Sequence, residues 1–104
     1  MSGAAPERYL LRLFIAGPSP RSHRTMENLR RICSTHLQDR FDLEVVDIYQ
    51  QQALAEASQV VAAPTLLKLS PPPVRRIVGD LSDETRVLHG LGLPVLPPGP
   101  ADER

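Results

Sequence analysis

Few residues in this chain could do chemistry, and their types and spacing limit what that chemistry could be. Cys33 is the only cysteine, which excludes a disulfide framework, a thiolate metal cluster and a two-cysteine redox pair. His23, His36 and His89 are 13 and 53 residues apart, whereas paired zinc ligands sit roughly three to five apart, so they are expected to be solvated. Ser22-His23 are adjacent in sequence, which does not supply the geometry of an acyl-transfer triad. Glu27, Asp47 and Asp80 are expected as surface or capping carboxylates, and no phosphate-binding glycine loop with its lysine is present. The expectation is a protein without enzymatic activity, metal or cofactor. The groups that stand out are Arg75 and Arg76, set between Pro71-Pro72-Pro73 and the turn Gly79-Asp80. A guanidinium pairs with carboxylates through a planar fork of donors, so this basic edge suits docking onto another protein.

The elements that would hold that edge can be read from periodicity. Tyr9 to Ala16 is apolar apart from Arg12, with Leu11, Leu13 and Ile15 on one face and Leu10 and Phe14 on the other. That predicts an interior strand covered on both sides. Gly17-Pro18-Ser19-Pro20 stops it. Ser19 is placed to cap a helix and Pro20 to occupy its first position. Met26, Leu29, Ile32, Cys33 and Leu37 then form one apolar stripe at spacings of three and four, and Cys33 on that stripe is expected in the core. Leu43 to Ile48 predicts a second strand and Gln50 to Val61 a short helix patterned on Leu54, Ala57 and Val61. Leu66–Ser70 and Val74–Val78 predict an antiparallel pair. Ser82, followed by Asp83 and Glu84, predicts a capped last helix with Val87, Leu88 and Leu91 facing inward. Gly90 and Gly92 weaken it by up to ~1 kcal/mol each.

Composition sets the outer limits. A chain of 104 residues makes one domain, predicted over residues 9–93 between a loose leader (1–8) and a proline-rich, disordered tail (94–104). Aromatics make up 4% and tryptophan is absent, so aliphatic side chains must build the core and stacking platforms for nucleic acid are not expected. The formal net charge is +0, unlike that of a DNA-binding domain, but it is unevenly spread. Residues 1–40 hold seven arginines against Glu7, Glu27 and Asp39, a balance of +4. Residues 41–104 hold Lys68 and four arginines against nine acids, a balance of −4, a polarity suited to docking or self-association. Nothing approaches the ~18 apolar residues of a membrane span and no apolar signal region opens the chain; the expected location is cytoplasmic.

The predicted order, βαβαββα, is the thioredoxin-like topology, an α/β sheet with helices on both faces. Oxidoreductases of this fold place a reactive Cys-x-x-Cys where strand one enters helix one, because the helix N-terminus lowers the thiol pKa. Here that loop reads Gly17-Pro18-Ser19-Pro20-Arg21-Ser22 and has no thiol. A glutathione-binding or redox protein is kept as the alternative, since serines there could contact glutathione. Pro64 stands where the fold carries a cis-proline before strand three; the sequence is compatible with either isomer.

Ala63-Pro64-Thr65-Leu66, followed by Pro71-Pro72-Pro73-Val74-Arg75-Arg76-Ile77-Val78-Gly79-Asp80-Leu81-Ser82-Asp83, closely resembles the KaiB family of clock proteins. Leu13-Phe14-Ile15-Ala16-Gly17, Val45-Val46-Asp47-Ile48, Leu54-Ala55-Glu56 and the stretch Val87-Leu88 to Gly90-Leu91 extend the resemblance over about residues 9–93. The resemblance implies a non-enzymatic protein that docks on the N-terminal ATPase ring of a KaiC-like ATPase and modulates its phosphorylation cycle. It also implies KaiA or a KaiB-like sensor-kinase domain as further partners. The family is metamorphic: a ground-state βαββααβ fold, tending to dimers and tetramers, exchanges with the thioredoxin-like monomer. Partner-facing basic residues are then expected at Arg24, Lys68, Arg75 and Arg76, and structural or fold-switching positions at Pro64, Gly79, Gly90 and Gly92. Gly92 replaces an acidic residue of cyanobacterial members, Gln59 replaces a lysine, and a proline-rich tail replaces an acidic one.

Overall fold

The computed structural model describes residues 8–38, 40–60 and 64–93. The leader 1–7, the tail 94–104, Val61 and the Ala63–Pro64 bond therefore lie outside the described residues. Seven elements follow in order: β1 (Tyr9–Ile15), α1 (Pro20–His36), β2 (Phe41–Asp47), α2 (Gln52–Ala57), β3 (Thr65–Ser70), β4 (Arg75–Val78) and α3 (Glu84–Leu91). The strands form one sheet in the order β2-β1-β3-β4. β1 pairs parallel with β2 and antiparallel with β3, and β3 pairs antiparallel with β4. This is the thioredoxin-like arrangement read from the periodicities.

The two faces are unequally covered. α1 and α3 bury Leu11, Leu13, Ile15, Leu66 and Ile77 of the sheet against Leu29, Ile32, Cys33, Val87, Leu88 and Leu91. The opposite face has only the six-residue α2, which packs Ala55 over Phe14, Val46 and Leu67. The expectation that β1 is covered on both sides thus holds at Phe14 and fails at Leu10, which is 45% exposed. One and a half turns of helix reach one end of that face only. The uncovered end carries two cross-strand ion pairs instead: Arg8 Nε to Asp42 Oδ2 at 2.6 Å and Arg12 Nε to Glu44 Oε1 at 2.8 Å. Arg8, assigned to the leader by sequence, is therefore part of the sheet margin, and its guanidinium holds the Asp42 carboxyl below the usual carboxylate range.

α1 starts as its sequence dictates. Ser19 has extended backbone, its Oγ accepts from the Ser22 amide at 3.1 Å, and Pro20 follows. α2 is shorter than predicted, and Ala57 is exposed rather than inward, because Ala55 and Leu54 face the sheet. α3 is capped by Asp83 rather than Ser82: Asp83 Oδ1 accepts from the Arg86 amide at 3.2 Å. Ser82 is taken up one step earlier, its amide donating to Asp80 Oδ1 at 3.1 Å. The C-terminus of α3 is closed by Gly92 in the left-handed region (φ 77), where glycine has no Cβ penalty. Gly90 is needed for a different reason: a Cβ there would fall 2.5 Å from Ile77 Cδ1, so its absence lets α3 lie close on β4. His36 at the end of α1 meets Glu84 in the first turn of α3, Nε2 to Oε2 2.7 Å, each at the helix end whose dipole favours it.

Two outcomes follow from this packing. Ser19→Ala removes the cap of the longest helix and should lower unfolding stability by about 0.5–2 kcal/mol, read as a shifted urea midpoint with unchanged slope. Cys33 is wholly buried, and burial pushes its thiol from 9.0 up to about 12. The folded chain should therefore react with iodoacetamide at pH 8 at least about tenfold more slowly than the urea-unfolded chain. The raised value also fixes a sign: the stability linked to this thiol is intact below about pH 9 and is lost as pH rises toward 12.

Candidate functional site

The basic edge is made by the turn that precedes it. β3 ends at Ser70, the three prolines carry the chain over with cis bonds at Ser70–Pro71 and Pro72–Pro73, and β4 returns along β3 as the margin of the sheet. Prolines have no amide to donate, so the chain leaves the ladder at once. Gly79 ends β4 with φ 124, and its amide donates to the Pro64 carbonyl at 2.9 Å. That bond ties Pro64 and Gly79, two of the expected structural positions, across the two strands.

Within β4, alternation sends neighbouring arginines to opposite faces. Ile77 is buried under α3, so Arg75 shares the α3 side while Arg76 and Val78 share the α2 side. Both arginines are exposed, as expected, but they do not form one grip. The Arg75 side chain makes no hydrogen bond or ion pair among the described residues, its ties being those of the backbone ladder to β3. Arg76 is engaged: Nη2 donates to the Ser58 carbonyl and Nη1 to the Gln59 carbonyl, both at 2.8 Å. Val74 and Val78, 60% and 41% exposed, give this margin an apolar border.

Lys68, expected on the partner-facing surface, is instead buried, at 4% exposed. It pairs in register with Arg75 and lies on the face covered by α1 and α3, since Leu66 two residues earlier is buried there. Its ammonium sits 3.8 Å from where a Cβ on Gly92 would be, at the C-terminal end of α3. The partial negative charge of a helix C-terminus suits a cation enclosed there. β-strand alternation with an acid-poor surround carried no signal of it, because the helix end is made by Leu91 and Gly92, far along the chain.

Arg24 is exposed on α1 and belongs to the loop after β4 rather than to β4 itself. Asn28 Nδ2 donates to the Asp80 carbonyl at 3.1 Å, pinning the Gly79–Asp83 loop to α1. The hydroxyl and amide of Ser82, then Arg21 and Arg24, hold the Asp80 carboxyl below the usual carboxylate range. Arg24 therefore faces an acid of its own chain as well as solvent.

The other place to look is where β1 runs into α1, the position that carries the thiols in redox relatives of this topology. A cleft of about 250 Å³ lies there among Ile15, Pro18, Met26 and Asp47. Its serine hydroxyls are committed internally: Ser19 Oγ meets Ser22 Oγ at 3.0 Å, and Ser22 Oγ donates to the Gly17 carbonyl at 2.9 Å. Tyr49, 66% exposed, stands against Gly17 beside this cleft; a lone tyrosine in a polar turn gave no warning of it. Among the described residues no group of three or more His, Cys, Asp or Glu could hold a metal ion, and no helix is long and apolar enough to cross a membrane.

Known proteins agree with this geometry. The N-terminal domain of Synechococcus elongatus SasA superimposes with a TM-score of 0.70 at 25% identity, covering 86% of this chain and 88% of that one. The thioredoxin Deadhead of Drosophila melanogaster matches in fold alone, with a TM-score of 0.65 at 15% identity over 88% of this chain and 85% of that one. In sequence, the chain is 47% identical over 90 residues to the circadian clock oscillator protein KaiB of Prochlorococcus marinus (strain MIT 9312), covering 86% of each. It is 49% identical over 85 residues to KaiB of Synechococcus sp. (strain RCC307), covering 82% of this chain and 77% of the relative. With residues 12–93 also matching the KaiB domain, a thioredoxin-like sheet without a loop thiol and with arginines along its free margin is accounted for: the chain belongs to the KaiB family.

Proposed function

We propose that this chain is a non-enzymatic timing protein that docks on the N-terminal ATPase ring of a KaiC-like ATPase and modulates its phosphorylation cycle. The observation that carries the reading is Arg75. Its side chain is exposed on the sheet margin and makes no hydrogen bond or ion pair among the described residues, in a chain whose relatives are circadian clock oscillator proteins. Arginine keeps its charge at any cellular pH and matches carboxylates with two donors, so an acidic rim on the ATPase is the complementary surface. Arg24, beside the loop that follows β4, adds a second exposed cation. KaiA or a KaiB-like sensor-kinase domain are further partners in the same reading, the latter supported by the likeness to the SasA domain. The work would be done in the cytoplasm.

Fold switching belongs to the same proposal. Leu81, buried at the junction of β4 and α3, has φ 63, a left-handed conformation that costs a bulky residue roughly 1–2 kcal/mol. Two packings a few kcal/mol apart are what a switch needs, and strain at the hinge narrows the gap. A tetrameric ground state is the alternative arrangement. The redox or glutathione alternative gains no support from a thiol that is enclosed and held protonated.

In pull-down with the ADP form of the ATPase ring, Arg75→Glu and Arg24→Glu should each weaken capture at least about tenfold, as charge reversal at an interface does. Unchanged capture by both variants removes the arginines from the contact; no capture by the wild-type chain removes the partner.

A further inference from the structure

At the β4 margin the Arg76 guanidinium is directed inward, to the end of α2. α2 ends in a tight reversal: Ser58 caps it in the right-handed region, Gln59 follows at φ 59, and Val60 leaves. The Gln59 amide donates to the Glu56 carbonyl and the Val60 amide to the Ala55 carbonyl, both at 3.0 Å. This is the six-to-one, five-to-two pattern with which helices close, formed here with glutamine where glycine is usual. The pattern satisfies the carbonyls of Ala55 and Glu56 and leaves those of Ser58 and Gln59 pointing onward. Arg76 takes both, one nitrogen to each, at 2.8 Å. The planar fork spans consecutive carbonyls, which a single ammonium cannot do, and it brings positive charge to the negative end of a helix.

From this geometry we infer that Arg76 is a positioning residue: it clamps the 58–60 turn onto β4 and so shapes the docking surface, while Arg75 supplies the cation that meets the partner. The docking half of this inference rests on the proposed function; the clamp does not. α2 is short, without a side-chain cap at its start, and among the described residues it is the only helix over Phe14, Val46 and Leu67. A hold at its C-terminal end, where Val60 joins that cluster, therefore sets where the α2 side of the margin lies. A substitution at Arg76 acts on a partner through the backbone of Ser58 to Val60, and a substitution at Arg75 acts directly.

Full-length Arg75→Ala, Arg76→Ala and Arg76→Lys chains are compared by amide hydrogen exchange and by equilibrium binding to the N-terminal ring of a KaiC-like ATPase. Arg76→Ala should speed exchange at Ser58, Gln59 and Val60 by about tenfold or more while the β1 amides keep their protection. Arg76→Lys should restore little of it, and both Arg76 variants should bind the ring about tenfold more weakly. Arg75→Ala should lose binding by a similar factor with exchange at 58–60 unchanged. Faster exchange without loss of binding overturns the docking half, and weaker binding with unaltered exchange overturns the clamp, making Arg76 a direct contact. A wild-type chain that does not bind the ring overturns the proposed function and the docking half together, and the exchange difference alone then upholds or overturns the clamp.

Discussion

Everything in this molecule leans on the burial of β1. Like β3 it has a partner on each side, here β2 in parallel and β3 in antiparallel, and its Leu11, Leu13 and Phe14 are almost wholly removed from water. An interior strand needs apolar cover above and below, and the chain supplies it unequally. α1 and α3 enclose one face, and a helix of six residues covers part of the other. That inequality leaves one end of the second face to ion pairs and Leu10, and it makes the seating of α2 matter more than its length suggests.

With little helix to spare, cations are used to finish helix ends. Arg76 closes the C-terminus of α2 across from β4, and the Lys68 ammonium lies at the C-terminus of α3. His36 at the end of α1 instead meets Glu84 in the first turn of α3. A free carbonyl at a helix end is a strong acceptor that must be met, and at α2 the Arg76 side chain meets two of them while tying strand to helix. The arginines and lysine that look, in sequence, like one patch of charge are thus divided between internal and external duties, and Arg75 and Arg24 remain on the outside.

The same division separates this chain from the oxidoreductases whose topology it shares. The loop from β1 to α1 keeps a helix N-terminus and a cleft, but its hydroxyls bond to one another and to Gly17. The one thiol sits on the buried stripe of α1, where desolvation holds its proton. The site where oxidoreductases of this topology activate sulfur holds no thiol here, and the chain belongs to the KaiB family.

The order of elements, the inward stripe of α1, the cap at Ser19 and the exposed margin between the prolines and Gly79 were all legible in the sequence, because each depends on residues within a few positions of one another. Propensity and periodicity are local, and so are the turns that proline and glycine impose. The start of α3 lies one residue beyond the serine the sequence points to, for the same reason: Ser82 and Asp83 both cap well, and the bond from Ser82 to Asp80 leaves Asp83 to cap the helix. Where a charge ends up is not a local property. Alternation placed Arg75 and Arg76 on opposite faces, but only the approach of α2 gave Arg76 its carbonyls, and Lys68 is enclosed on the face that α1 and α3 cover. Those partners lie far away along the chain, so the tertiary fold alone decided which cations are spent inside the molecule and which remain for others.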